Sequence, residues 1–371
     1  MPVAVIYFSH VTGSFAMGMT VFSVAMLSSA FFEIPTGIVS DLVGRKKTMM
    51  LGGIAGTLSI FLYALANSFW MLALGAVFEG LMAALYSGNN NAFLHDTLKQ
   101  TGREQEYSHF LGRTSSMFQV GLGTSAILGG LVAQYSLPLV MWVGILPRFM
   151  CVLISLFMIE PKVHTEEIST NVFDHLREAM RTFKNNAKLR TLSMASVLDF
   201  GVGQAAHQFS PAFFQTLWPL WAIGLARFVS HCTAFISFWF SGAIIKRFDP
   251  LKSLMTGKVT SHIVAFFAYG IPTIFSPLLL SLTSIFYGIK TVSENTLLQR
   301  EFTDKQRATM GSLNQFAGSI FFAIFAFLFG FVADQLGARL SLLVTEFILF
   351  AGILLYLRVF KHDRILGSTK Q

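Results

Sequence analysis

Apolar runs of about 20 residues, repeated from one end of the chain to the other, constrain this sequence more than any other feature. Wound as an α-helix, a run of that length spans the hydrocarbon core of a bilayer. In lipid every backbone N–H and C=O must be satisfied within the segment, so such runs read as helices. Set against turn and charge signals, they fall near 17–40, 48–67, 70–92, 109–135, 138–158, 191–213, 216–245, 254–274, 277–298, 309–333 and 339–360. A shorter apolar stretch from Pro2 to Ser9 precedes them. The expectation is an all-α polytopic transmembrane helix bundle with eleven full spans plus an N-terminal stub. The stub reads as the tail of a first helix whose start is missing. A misassigned start, a truncated gene or a real eleven-helix protein would each produce it.

Composition agrees. Charged residues are 12% of the chain, where soluble proteins carry about 25%, and 53% are hydrophobic. A large soluble helical protein would need a polar stripe on each helix, and most of these runs lack one. The net charge of +8 would suggest nucleic acid in a soluble protein. Here the cations lie in short loops between apolar runs, the pattern of positive cytoplasmic loops, so no nucleic acid partner is expected. If Arg45, Lys46 and Lys47 are cytoplasmic, the same side collects Lys99, Arg103, Arg113, Lys246, Arg247, Lys252, Lys258, Arg300, Lys305, Arg307 and the tail cations. Of the 27 lysines and arginines, Arg339 alone falls in the opposite loops, and Arg148, Arg227 and Lys290 fall within spans. A lipid bilayer is therefore the expected setting.

Several chemistries find no residues to carry them. Cys151 and Cys232 both lie inside apolar runs, without disulfide or metal spacing. The first residues carry no basic signal-peptide region. There is no phosphate-cradling glycine loop with Lys and Ser/Thr, hence no ATPase, and no nucleophile elbow or paired-His zinc motif. An enzyme is not expected, nor a metal or any other cofactor.

The longest polar stretch, Glu160 to Arg190, divides the chain. Residues 1–160 form a first half with the stub and five spans, 161–190 a cytoplasmic linker, and 191–371 a second half with six spans and a short tail. Within the linker, Phe173, Leu176, Met180 and Phe183 recur at helical spacing. They suggest an amphipathic helix on the membrane surface, with a solvated linker as the alternative.

Four helix ends repeat one pattern: Gly37-Ile-Val-Ser-Asp41, Gly130-Leu-Val-Ala-Gln134, Gly242-Ala-Ile-Ile-Lys246 and Gly330-Phe-Val-Ala-Asp334. They close the second, fifth, eighth and eleventh helices, counting the stub as the first. The repeat unit is thus three helices, and an odd unit inverts its neighbour in the membrane. Glycine before a turn is common at helix ends, but four matches at one ordinal position form a repeat.

The segment Gly37-Ile-Val-Ser-Asp41-Leu-Val-Gly44-Arg45-Lys46-Lys47 resembles the signature loop between helices two and three of the major facilitator superfamily. Gly44 allows the tight turn, and Asp41 at a helix end could pair with a cation or with a helix N-terminus. By resemblance, Asp41 and Arg45 act as a latch between the halves, with Gly37, Gly44 and Lys46 completing the gating motif. Further matches are Glu33-Ile-Pro-Thr-Gly37, Ser87-Gly-Asn-Asn-Asn with Asp96, Gly112-Arg113, and Arg307-Ala308-Thr309. Two positions depart from the family. Ala126 stands where proton antiporters have proline, although Gly121, Ser125, Gly129 and Gly130 keep the small-residue spacing. Ala76 stands where many members carry an Arg in helix four.

The resemblance implies that the first, fourth, seventh and tenth helices line a central cavity. An ionisable residue inside a span is a functional candidate by default. Glu79 lies in helix four. Asp199, Gly203 and His207 share one face of helix seven, flanked by Gln204 and Gln208. Arg227 and His231 stand at i, i+4 in helix eight, where Arg227 could hold an anionic group or pair with Asp199 or Glu79. These five are the substrate or proton candidates. Lys290 and Glu294, at i, i+4 in helix ten, read as mutually neutralising. Glu33 and Arg113 read as structural or gating charges, and Arg148 and Glu346 as structural.

The resemblance implies a monomeric secondary transporter of a cytoplasmic, or cell inner, membrane. Its partners would be a small-molecule substrate, possibly hydrophobic or drug-like, and protons. Proton-coupled efflux is the expectation. A proton-driven metabolite importer of the same fold is the first alternative, and a non-transporting receptor or degenerate remnant the second.

Overall fold

A computed structural model describes residues 3–87, 89–161, 181, 183–301 and 307–368, and among these it is helical with no strand. The helices are α1 (Ala4–Thr12), α2 (Phe15–Val43), α3 (Arg45–Leu65), α4 (Phe69–Tyr86), α5 (Asn89–Gln100), α6 (Tyr107–Tyr135) and α7 (Leu137–Phe157). Beyond the central polar stretch come α8 (Ala187–Phe214), α9 (Leu220–Phe248), α10 (Pro250–Gly270), α11 (Ser276–Leu282), α12 (Tyr287–Glu301) and α13 (Arg307–Ser368). Every expected span falls on helix. The span near 70–92 is shared between α4 and α5, and the one near 277–298 runs through α11, a 3₁₀ turn and α12. The amphipathic helix expected in the linker lies mostly outside the described residues.

Among the described residues, seven stretches are long and apolar enough to cross a membrane: Phe15–Glu33, Arg45–Leu65, Phe69–Gln100, His109–Tyr135, Leu137–Phe157, Leu220–Phe248 and Gly311–Arg358. The last is 48 residues long and has room for two crossings, with Gly337 breaking the helix between them at φ 81°.

The chain forms two compact units. One is Met1–Glu167 with Pro219–Leu225 and Ala326–Asp334. The other is Ile168–Trp218, Ala226–Phe325 and Gln335–Gln371. In the first, α1 lies against α2 and α4, and α3 packs between α4 and α7. The short N-terminal stretch is buried there: Tyr7 and Phe8 join Val21, Ile60, Tyr63, Leu72 and Met141 in one cluster. The Tyr7 hydroxyl donates to the Tyr63 carbonyl at 2.6 Å, so its polar end is satisfied. In the second unit α10 packs against α12, and Leu189, Leu192, Leu254, Leu297 and Tyr356 form the apolar cluster.

The repeat seen in the sequence returns in the backbone. Seven residues after the opening glycine the chain takes a left-handed turn at Gly44 (φ 97°), Asp249 (φ 71°) and Gly337 (φ 81°). Glycine removes the steric cost at two of these positions. Asp249 instead caps α10, its Oδ1 accepting from Leu251 N at 2.9 Å. The remaining copy differs: Ser136 is extended and Pro138 opens α7.

Candidate functional site

The signature loop is tied to its own unit. Gly44 turns the chain, and α3 begins at Arg45 with its first N–H groups unpaired by the helix itself. Glu160, just past α7, satisfies them: its Oε1 accepts from Arg45 N at 2.6 Å and its Oε2 from Lys46 N at 2.8 Å. A carboxylate at a helix N-terminus is also favoured by the helix dipole. Arg45 Nη1 donates to Ser40 Oγ at 2.8 Å, and its Nε lies 3.6 Å from Asp96 Oδ2. Asn89 joins this knot, donating to the Arg45 carbonyl and accepting from Ser40 Oγ. Lys46 Nζ donates to the Leu156 carbonyl at 2.9 Å. The side chain of Asp41 lies outside the described residues. Glu160 and Asn89 were not singled out as site residues. Glu160 sits at a helix end before Pro161, a position that sequence alone does not connect to Arg45.

The other charges of the first unit are dispersed. Glu79, half-buried on α4, accepts from the Tyr63 hydroxyl at 2.7 Å. Glu33 Oε1 lies 3.5 Å from Ser87 Oγ. Arg113 is exposed on α6. Arg148 on α7 reaches the Met82 thioether.

The second unit holds the richest polar clusters. The face of α8 predicted from Asp199, Gly203 and His207 is open along its length. Asp199 is half-buried, a Cβ on Gly203 would meet nothing within 4 Å, and His207 is exposed. Asp199 and His207 nonetheless serve different clusters.

Asp199 Oδ2 lies 2.6 Å from Lys258 Nζ on α10. Lys258 is also 3.7 Å from Glu294 Oε2 on α12, and its ammonium stands 4.8 Å from the centre of the Tyr356 ring. The Lys258 side chain is only 2% exposed. This corrects the expectation that Lys258 is a cytoplasmic loop cation. Pro250 starts α10, which puts Lys258 two turns inside the helix. The pairing expected within α12 is also redistributed. Glu294 meets Lys258, while Lys290 Nζ lies 3.5 Å from Ser261 Oγ on α10. One turn beyond Lys258, His262 Nδ1 lies 2.8 Å from Glu346 Oε2. The cluster thus sets two carboxylates, Asp199 and Glu294, against two ammonium groups, Lys258 and Lys290. Buried charges persist in a membrane when paired in this way.

His207 turns to α9. Arg227 Nη1 lies 2.7 Å from His207 Nε2 and 3.0 Å from Nδ1. Arg227 Nη2 donates to the His207 carbonyl and, at 3.2 Å, to Ser210 Oγ. Arg227 is 7% exposed, and His231 is half-buried one turn further along α9. Among the described residues of this unit, the carboxylates are engaged elsewhere: Asp199 and Glu294 by Lys258, Glu346 by His262, Glu301 by Lys188, and Asp249 as the cap of α10. The described residues hold no group of three or more His, Cys, Asp or Glu able to bind a metal.

Comparison with known proteins gives a family and a fold. The family model of the Major Facilitator Superfamily matches residues 1–321. An uncharacterized MFS-type transporter of Methanocaldococcus jannaschii, MJ1560, is 22% identical over 94% of this chain and 87% of its own length. A class E tetracycline resistance protein from Escherichia coli is 25% identical over 145 residues, 39% of this chain and 34% of that protein. The crystal structure of the nucleoside transporter NupG (a D323A mutant) superposes with a TM-score of 0.80 at 16% identity, covering 97% of this chain and 94% of that one.

Proposed function

The chain belongs to the Major Facilitator Superfamily, and on that footing we propose that it is a monomeric secondary transporter of the cytoplasmic membrane that exports a small, partly apolar solute in exchange for protons. Proteins of this family bind small-molecule substrates within the membrane, and alternating access carries such a site from one side to the other. The partial match to a tetracycline resistance protein supports export. The signature loop, with Gly37, Asp41, Gly44, Arg45 and Lys46, would gate the movement, with Glu33 and Arg113 at its margins.

The observation that carries the coupling is Lys258 held between Asp199 at 2.6 Å and Glu294 at 3.7 Å. One ammonium serves two carboxylates. A proton arriving on Asp199, the more open of the two, removes its charge and lets Lys258 move fully to Glu294. Loss of that proton reverses the exchange. Proton binding is thereby converted into a shift of α10's ionic contact from α8 to α12. Glu79 with Tyr63 offers a second carboxylate, in the first unit.

The test uses vesicles reconstituted with the purified chain, a pH gradient and an internal pH dye, with tetracycline and uridine heading the solute panel. Asp199→Asn is expected to abolish proton-driven accumulation while sparing downhill exchange of the same solute. Glu79→Gln serves as the comparison. Proton coupling left intact in both variants removes these carboxylates from the mechanism, and a panel in which nothing moves counts against transport itself.

A further inference from the structure

We infer that Arg227 and His207 form a recognition site for an anionic group on the transported solute, a carboxylate or a phosphate monoester. This rests on the transport reading above and deepens it by naming the solute class.

The starting point is a charge with no ion-pair partner among the described residues. Arginine stays protonated in proteins, and a charge within a membrane span persists only when paired or when it lines a water-filled space. Arg227 is buried on α9, and the acceptors it meets are neutral: the His207 imidazole, the His207 carbonyl and the Ser210 hydroxyl. A histidine ring carries no negative charge in either tautomer, so His207 leaves the Arg227 charge unbalanced. The cluster therefore keeps a net positive charge. Among the described residues, the unit's carboxylates do not cancel it: Asp199 and Glu294 share Lys258, Glu346 holds His262, Glu301 pairs with Lys188 and Asp249 caps α10.

The surroundings suit a ligand. His207 is exposed, and the space beside Gly203, one turn earlier on α8, is open. A histidine and an aspartate on one open helix face suit a water-filled space better than lipid. The contacts to His207 and Ser210 aim the guanidinium before any ligand arrives. A planar guanidinium so fixed matches the two oxygens of a carboxylate or phosphate, and little side-chain freedom remains to be lost on binding. His231, at i+4 from Arg227, adds a second imidazole on the same face of α9. The complementary solute carries one compact anion.

The experiment uses the purified full chain in an uncharged detergent free of anionic lipid, so that lipid headgroups cannot supply the anion. Binding is measured by tryptophan fluorescence and thermal unfolding at constant ionic strength with matched pairs: benzoate against benzamide, and phenyl phosphate against phenol. The anionic member of at least one pair is expected to bind about tenfold tighter or more than its neutral partner, the range of a charge-assisted hydrogen bond. Arg227→Gln should erase that preference, and Arg227→Lys, which keeps the charge but loses the fork, should keep part of it. Ser210→Ala, which removes one neutral contact, should weaken the anion severalfold, and it tests the site even where Arg227→Gln fails to fold. Equal binding of anion and neutral partner, no binding by any of the four probes, or a preference that survives Arg227→Gln overturns the inference. The two readings fail separately. Anion binding at Arg227 with no flux in vesicles removes transport and leaves the site. Transport of a neutral solute indifferent to Arg227→Gln removes the site and leaves transport.

Discussion

Lys258 sets the residue scale. A primary amine 2% exposed inside a helical unit is tolerated because Asp199 and Glu294 face it and the Tyr356 ring covers it. Replacing Lys258 by Met keeps the volume and strands two carboxylates. Breaking a buried ion pair from one side costs about 3–5 kcal/mol, and the partial exposure of Asp199 puts the expected loss at the lower end. Chemical denaturation in detergent should show it. Adding Asp199→Asn to Lys258→Met should recover part of the loss, since the double change removes a charge from each side. Stability unchanged in Lys258→Met would show that the cluster is hydrated and unstrained. The sequence disclosed Asp199 and Glu294 as charges in apolar runs. Lys258 lies four residues inside the span expected near 254–274, but the cation count set it on the cytoplasmic side with Lys252, and α10 starting at Pro250 carries it deeper.

At the scale of elements, the helices were legible because the bilayer demands one pattern from every crossing, a long apolar run closed by charge or turn residues. The polar contacts between elements were less so. Arg227 was expected to hold an anionic group or to pair with Asp199 or Glu79; its contacts in the fold are a histidine twenty residues back and a serine, whose hydrogen-bonding roles carry no spacing signal. The small-residue pattern of α6 does have a physical counterpart. In lipid, helices associate through close packing, which small residues permit. A Cβ on Gly130 would stand 2.8 Å from Gly224 Cα, and a Cβ on Gly224 would press on the Ala126 carbonyl. Both neighbours are backbone, so the crossing of α6 and the start of α9 cannot relax by moving a side chain. Gly224→Ala should therefore destabilise by about 1–3 kcal/mol, the usual cost of overpacking. Gly121→Ala on the same helix faces open space and serves as the control. Matching unfolding midpoints for the two variants would contradict the close crossing.

At the scale of the molecule, the first compact unit takes Pro219–Leu225 and Ala326–Asp334 from beyond the linker, and a specific contact holds the second of these in place. Asp334 accepts from Ser14 Oγ at 2.6 Å, from Phe15 N at 2.7 Å and from Ala16 N at 3.0 Å, so it caps α2 from a distant part of the chain. Gly330, one turn earlier, lets the backbones meet: a Cβ there would lie 2.5 Å from Ala16 Cα. Asp334 occupies in the fourth repeat the place that Asp41 occupies in the first, and it acts at the end of α2 remote from the Arg45 loop. Asp334→Ala removes the cap, worth about 1–2 kcal/mol, and so should raise the population with this contact open by about 5–30-fold. Ala16, now buried against Gly330, reports the opening directly. In a background with Cys151 and Cys232 changed to Ser, a cysteine placed at Ala16 should react severalfold faster with a membrane-impermeant maleimide once Asp334 is Ala. Asp334→Asn, which keeps one acceptor oxygen, should give an intermediate rate. Equal rates in all three backgrounds would mean that the cap only stabilises the start of α2 and restrains no movement of Ala326–Asp334.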